Sequence, residues 1–170
     1  MVKKLAAVLF VLSLTAVPAL AQDDDYPRLE TTIGYANLAF PNFDDGKTGH
    51  HSGFAMHNGL NLTRWFGIEN YTGVYSMGSR VTLITNIVGG KLMARSAHAV
   101  PYVVVGLGGG YFTSDYSYGS VFNTRLGGGV DVPLNDSMSW KFDISRMSIH
   151  SGVWISNWNF STGVTFNILN

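Results

Sequence analysis

Beyond residue 27 the chain alternates apolar and polar positions with a period of two, interrupted by clusters of Gly, Pro, Asn, Asp and Ser. Eight stretches rich in Val, Ile, Thr and aromatics result: Arg28–Ala39, Phe54–Thr63, Ile68–Met77, Val81–Ala94, Val100–Phe112, Val121–Val132, Met138–Met147 and Asn157–Leu169. Most approach or exceed the roughly 9–11 residues that a tilted membrane-crossing strand requires. The best candidate for a later helix, Ala99–Phe112, holds Pro101 and four glycines in 14 residues, too short and too poor in helix formers to span a bilayer.

The two faces of the stretches differ in charge. One alternating face of six of them carries Leu29, Thr31, Ile33 and Tyr35, then the series from Phe54 to Leu62, Ile84 to Ala94, Phe122 to Val132, Met138 to Ile144 and Phe160 to Ile168. None of these 30 positions is charged. The other face holds Glu30, His57, Lys91, Arg125, Asp131, Lys141 and Asp143. Apolar outside and charged inside inverts the soluble pattern and predicts strands in lipid, where only a closed sheet satisfies the backbone. Val100–Phe112 is apolar on both faces and Ile68–Met77 is mixed on both, so neither is assigned a phase.

The connections Thr63–Gly67, Arg95–Ala99 and Pro133–Ser137 read as tight turns, and Phe40–Gly53, Thr113–Ser120 and Ser148–Ser156 as longer loops. Met77–Arg80 belongs to the long-loop rim but is brief. An even strand count places both termini on the short-turn rim, the periplasmic one.

Composition sharpens this. The chain of 170 residues is a single domain with 20 glycines, 13% aromatic and only 13% charged residues, 11 basic and 11 acidic. The charged share is about half that of ordinary soluble domains. Without a basic patch the chain lacks the footprint of a nucleic-acid binder, and without Cys it has no disulfide, thiolate zinc site or cysteine nucleophile. Lys3 and Lys4, the apolar run Leu5–Leu20 and the small residues Ala19 and Ala21 before Gln22-Asp23-Asp24-Asp25 predict a cleaved secretory signal at 1–21 and a mature domain at 22–170. Removing residues 1–21 with their two lysines leaves 149 residues, 9 basic and 11 acidic groups, and a formal charge of −2.

Three segments carry a family likeness: Leu60-Asn61-Leu62-Thr63-Arg64-Trp65-Phe66-Gly67-Ile68; Val100-Pro101-Tyr102 leading to Gly108-Gly109-Gly110; and Leu126-Gly127-Gly128-Gly129-Val130-Asp131-Val132 before a tight turn. Together they resemble the small outer-membrane β-barrel proteins of Gram-negative-type bacteria, eight-stranded relatives of the outer membrane protein A transmembrane domain. The likeness runs from Tyr26 to Asn170. In the last stretch Ser161, Gly163, Phe166 and Ile168 are similar to that family's assembly signal, polar-x-Gly-x-x-aromatic-x-apolar, although the chain ends Leu169-Asn170 instead of on an aromatic. The resemblance implies recognition by the barrel-insertion machinery and no catalytic residues.

Candidate chemistry is sparse. In an eight-stranded barrel side chains fill the lumen, so Lys91, Arg125 and Lys141 are expected to balance Glu30, Asp131 and Asp143 there. A hairpin closed at Pro133–Asp136 predicts Asp143 diagonally opposite Arg125 and Lys141 diagonally opposite Asp131. The runs Gly89-Gly90, Gly106–Gly110 and Gly127–Gly129 lack a P-loop ending and read as strand glycines. His50, His51 and His57 near Asp44 and Asp45 have ligand chemistry without a zinc spacing and read as a solvated loop. Ser148 and His150 share a face with no evident acid beside them. Tyr111, Phe112, Tyr116, Tyr118, Trp154 and Trp158 at one end, with Trp65, Phe66 and Trp140 at the other, read as interface girdles.

The sequence therefore predicts an all-β protein, an eight-stranded antiparallel transmembrane up-and-down barrel, monomeric, exported to the cell outer membrane and surrounded by its lipids, with a plugged polar lumen and no cofactor, metal or catalytic residue. Its expected role is structural or one of surface interaction. The alternatives are a narrow channel for small solutes and a secreted lipocalin-like ligand-binding barrel.

Overall fold

The computed structural model describes residues 26–41, 47–78, 80–113 and 118–169. The predicted leader, Asp44 and Asp45, Tyr116 and the side chain of Tyr118 lie outside them. Eight strands follow one another: β1 (Leu29–Pro41), β2 (Thr48–Asn61), β3 (Phe66–Ser76), β4 (Thr82–Met93), β5 (Val100–Thr113), β6 (Tyr118–Asn135), β7 (Met138–His150) and β8 (Trp154–Leu169). Each pairs antiparallel with the next and β1 pairs with β8, closing the barrel. No sheet edge is left open, which is what lets strands stand in hydrocarbon.

At the rim away from the termini the strands run further than the sequence suggests. Pro41 pairs with Thr48, Thr113 with Tyr118, and His150 with Trp154. The expected long loops shrink accordingly, and connections at the two rims are of similar length. The Gly-, His- and Ser-rich segments read as loops keep pairing because the ladder bonds the backbone and asks little of the side chain. Turns at the terminal rim are tied by side chains. The Thr63 hydroxyl accepts from the Phe66 N–H at 3.0 Å, and Asn135 Oδ1 accepts from the Ser137 N–H at 2.9 Å.

The register fixes the stagger. One row of paired residues runs Leu29, Leu60, Ile68, Gly90, Val105, Leu126, Arg146, Trp158 and returns to β1 at Ala39, ten positions above its start. With eight strands that offset corresponds to a tilt of about 40°. Each step across about 4.8 Å then climbs about 3 Å, so the row rises about 25 Å in all.

All six faces assigned from sequence point as expected, and the two unassigned strands resolve. β5 turns Val103, Val105, Leu107 and Tyr111 outward and Tyr102 and Val104 inward; β3 turns Ile68 and Val74 outward and Glu69, Tyr71 and Tyr75 inward. Phe112, expected in an aromatic girdle, faces the interior and packs against its apolar cluster.

The interior has two storeys. Nearer the termini it is charged: Glu30, Glu69, Lys91, Arg125, Asp131, Lys141 and Asp143 are all buried. Toward the other rim it is mainly apolar, built from Leu38, Phe40, Tyr75, Met77, Leu83, Ile87, Val121, Met147 and Ile149, with Thr85, Asn123 and Asn157 as buried uncharged polar members. The expectation of a polar lumen throughout is therefore corrected for the distal half. Inward glycines make room for the rings. A β-carbon on Gly73 would meet Tyr75 and Tyr71, and one on Gly129 would meet Tyr102 and the Phe142 carbonyl. At the β1–β8 seam Gly34 pairs with Gly163, and a β-carbon on either would press into the backbone of the other strand.

Candidate functional site

Inward alternation brings the charges of five strands into one cluster. Its centre is Arg125 of β6. Nη1 donates to Glu69 Oε1 and Nη2 to Asp143 Oδ2, both at 2.8 Å, Nε donates to the Ser145 hydroxyl at 3.2 Å, and the guanidinium lies 4.5 Å from the centre of the Tyr71 ring. A planar fork that meets two carboxylates and an aromatic face is geometry that Arg supplies and Lys does not. Asp143 also accepts from the Tyr102 hydroxyl at 2.8 Å.

Two lysines complete the cluster nearer the rim. Lys141 Nζ lies 2.7 Å from Asp131 Oδ1, and Lys91 Nζ lies 3.1 Å from Glu30 Oε2 and 4.0 Å from Glu69 Oε2. Arg95, in the β4–β5 connection, reaches Glu30 Oε1 at 3.4 Å. The ring of Tyr102 sits between the lysines, 4.4 Å from Lys141 Nζ and 5.3 Å from Lys91 Nζ.

The six charges singled out from sequence thus meet inside the barrel, with register corrections. Lys141 is directly opposite Asp131, not diagonal to it. Arg125 is opposite Met147, and Asp143 is opposite Gly129, so the guanidinium reaches two inward positions along the barrel to its partner. The hairpin closes tighter than expected, at Asn135 and Met138 with an irregularity after Pro133, and this shifts the pairing.

Sequence reasoning missed Glu69. Its strand looked mixed on both faces, yet Gly67, Glu69, Tyr71, Gly73 and Tyr75 form one period-two series of small and polar-tipped residues, all buried. With Glu69 the cluster holds four carboxylates, and Arg95 supplies the fourth fixed cation. Tyr71 and Tyr75 bond each other through their hydroxyls and share Asn159, which accepts from Tyr75 at 2.7 Å and donates to Tyr71 at 3.2 Å.

The histidines do not gather. His57 points into the lumen, His51 is buried with Nε2 3.2 Å from the Phe40 carbonyl, and His50 faces outward against Asn37. Among the described residues no group of three metal-ligating side chains forms. Ser148 bonds Ser156 at 2.8 Å while His150 packs at a tilt against Trp154, so that pair makes no catalytic constellation. His57 does stand between Glu69 Oε1 on Nδ1 and the Ser161 hydroxyl on Nε2, both at 3.2 Å. This is the order of acid, base and nucleophile in a serine hydrolase. The space beside it, lined by Thr32, Gly34, Ala55 and Gly163, does not admit a water molecule, and Glu69 is shared with Arg125.

Of the predicted assembly residues, Ser161 and Gly163 face the interior, while Phe166 and Ile168 face outward.

Residues 7–166 match the family model of the outer membrane protein beta-barrel domain, a match that starts within the predicted leader. The chain belongs to that family. Its barrel stands in the cell outer membrane, and its apolar outer wall meets lipid. Solved structures agree in fold. Neisserial surface protein A superposes with a TM-score of 0.63 at 10% identity, covering 82% of this chain and 96% of that one. The N-terminal barrel domain of Pseudomonas aeruginosa OprF gives 0.58 at 15% identity, covering 82% and 97%. Ail, the attachment invasion locus protein of Yersinia pestis, gives 0.56 at 14% identity, also covering 82% and 97%. Comparison with curated proteins finds no match. At these identities the likeness extends to the fold alone.

Proposed function

We propose that this outer-membrane protein is a closed, monomeric barrel with a structural or surface-interaction role, passing no solute and catalysing no reaction. The observation that carries the reading is the filled interior. Arg125 ties β6 to Glu69 of β3 and Asp143 of β7 across the lumen, and above it Leu38, Leu83, Ile87, Met147 and Ile149 pack without ionised groups. A hydrated path would have to displace ion pairs in one storey and wet an apolar cluster in the other, both costly. The six lumen charges named from sequence, with Glu69 and Arg95, neutralise and orient one another there.

The Ser161–His57–Glu69 chain serves the same network, since no substrate reaches it. Ail has been solved with a heparin analogue, sucrose octasulfate. The rim opposite the termini is the place where this barrel would meet other molecules. Export by the 1–21 leader and insertion by the barrel-assembly machinery, read from Ser161, Gly163, Phe166 and Ile168, complete the proposal.

Planar-bilayer recordings of the purified protein test it. No discrete conductance steps are expected, whereas steady ion-selective openings would revive the channel reading. Protease shaving of whole cells tests orientation: cleavage within 42–47 is expected, and cleavage confined to the opposite rim would reverse it.

A further inference from the structure

The outer wall of the barrel has one exception to its lack of charge. Among the described strand residues that face outward, Arg146 is the single Asp, Glu, Lys or Arg. It is exposed, and among the described residues no carboxylate lies within ion-pair distance of it; its guanidinium sits 5.8 Å from the centre of the Trp158 ring. In the row that climbs from Leu29 to Ala39, Arg146 stands six of eight steps up. That is about 19 Å above Leu29 and within about 6 Å of the top of the row, the depth at which a lipid headgroup begins.

Below Arg146 along the same row the wall is hollowed. Leu126, Val105 and Gly90 follow in order, with Val88 and Leu107 beside them, and a trough of about 640 Å³ opens over β4 to β7. It exists because Gly90 brings no side chain to a row of branched ones. Because the row is tilted, the trough descends about 9 Å from Arg146 into the hydrocarbon layer, the course of an acyl chain. On the rim side of Arg146 the hydroxyls of Thr124, Ser148 and Ser156 form the next row, with Ser148 and Ser156 2.8 Å apart.

We propose that this wall is a lipid-binding site. An anionic, phosphate-bearing lipid docks with its phosphate on the Arg146 guanidinium, hydrogen-bonded by the neighbouring hydroxyls, and with an acyl chain along Leu126 and Val105 to Gly90. A cation without a carboxylate partner at headgroup depth attracts a phosphate, and its forked donors suit two phosphate oxygens. An apolar trough continuous with it selects a lipid over a soluble phosphate.

Native mass spectrometry of the full mature chain in micelles tests the proposal, with phosphatidylglycerol and phosphatidylcholine of equal chain length as probes. The wild type is expected to retain phosphatidylglycerol about fivefold more than phosphatidylcholine, the weight of one interfacial cation at an anionic lipid. Arg146→Gln is expected to abolish that preference. Gly90→Leu fills the trough, where a β-carbon would make only ordinary contact with Phe66 at 3.4 Å, and is expected to weaken both lipids while keeping their ratio. Arg64→Gln, at an exposed turn on the other rim, is expected to change neither. An unaltered preference in Arg146→Gln, an equal loss in Arg64→Gln, or unaltered binding in Gly90→Leu would overturn the site.

Discussion

The two storeys of the barrel fill the same cross-section by opposite means. Near the termini the interior is a lattice of fixed charges in which each group has a designated partner, and Arg125 alone joins three strands. Toward the other rim, Leu38, Leu83, Ile87, Met147 and Ile149 exclude water through packing that any well-shaped hydrocarbon provides. The lower storey is specific and intolerant of a missing member. The upper one is generic and degrades gradually. A buried charge without its partner cannot relax into a small void, whereas a truncated aliphatic chain leaves only the void.

The contrast is sharpest at its hub. Arg125→Met strands the carboxylates of Glu69 and Asp143, and unfolding by urea in micelles should show a loss of about 3–5 kcal/mol. A loss below about 1 kcal/mol would mean that water already reaches the pair and that the storeys do not differ. In the apolar storey, Leu83→Ala should cost about 3 kcal/mol by the same measurement, through lost transfer energy and a residual cavity. The smallest effect belongs to a paired replacement. Asp131→Leu together with Lys141→Met should leave stability within about 1 kcal/mol of wild type, because removing both ions removes their desolvation cost along with their attraction. Lys141→Met alone should be clearly worse than the pair. If single and double variants matched, that ion pair would be a bystander.

The charged storey was legible in the sequence because a lysine or aspartate at every second position of an otherwise apolar strand admits one orientation. Glu30, Lys91, Arg125, Asp131, Lys141 and Asp143 declared themselves this way. Glu69 did not, because Asn70 and Thr72 on the lipid face made β3 polar on both sides. The apolar storey was invisible for the complementary reason: inward Leu83 and Ile87 are each followed directly by outward Ile84 and Val88, and greasy residues on both faces leave no contrast for a period-two reading. Register was less legible still. A hairpin that closes at Asn135 and Met138 moved Lys141 to the position opposite Asp131, and composition carries no trace of that step. The rims were misjudged because glycine, histidine and serine signal a loop only where the backbone stops pairing, and here it continues to Thr48 and Trp154. Arg146 breaks the uncharged face of β7 only two positions beyond Ile144, as a single charge that leaves the apolar pattern intact.

The joint between Gly34 and Gly163 bears on how the sequence can change over time. At an open outward position such as Gly90 a larger side chain can lean into lipid. Where the two ends of the chain meet, backbone passes backbone with no slack, and even a methyl would wedge the ring apart. The joint is therefore closed to revision: at Gly34 and Gly163, as at Gly89 and Gly108 on the far side of the ring, drift has only one amino acid to choose from.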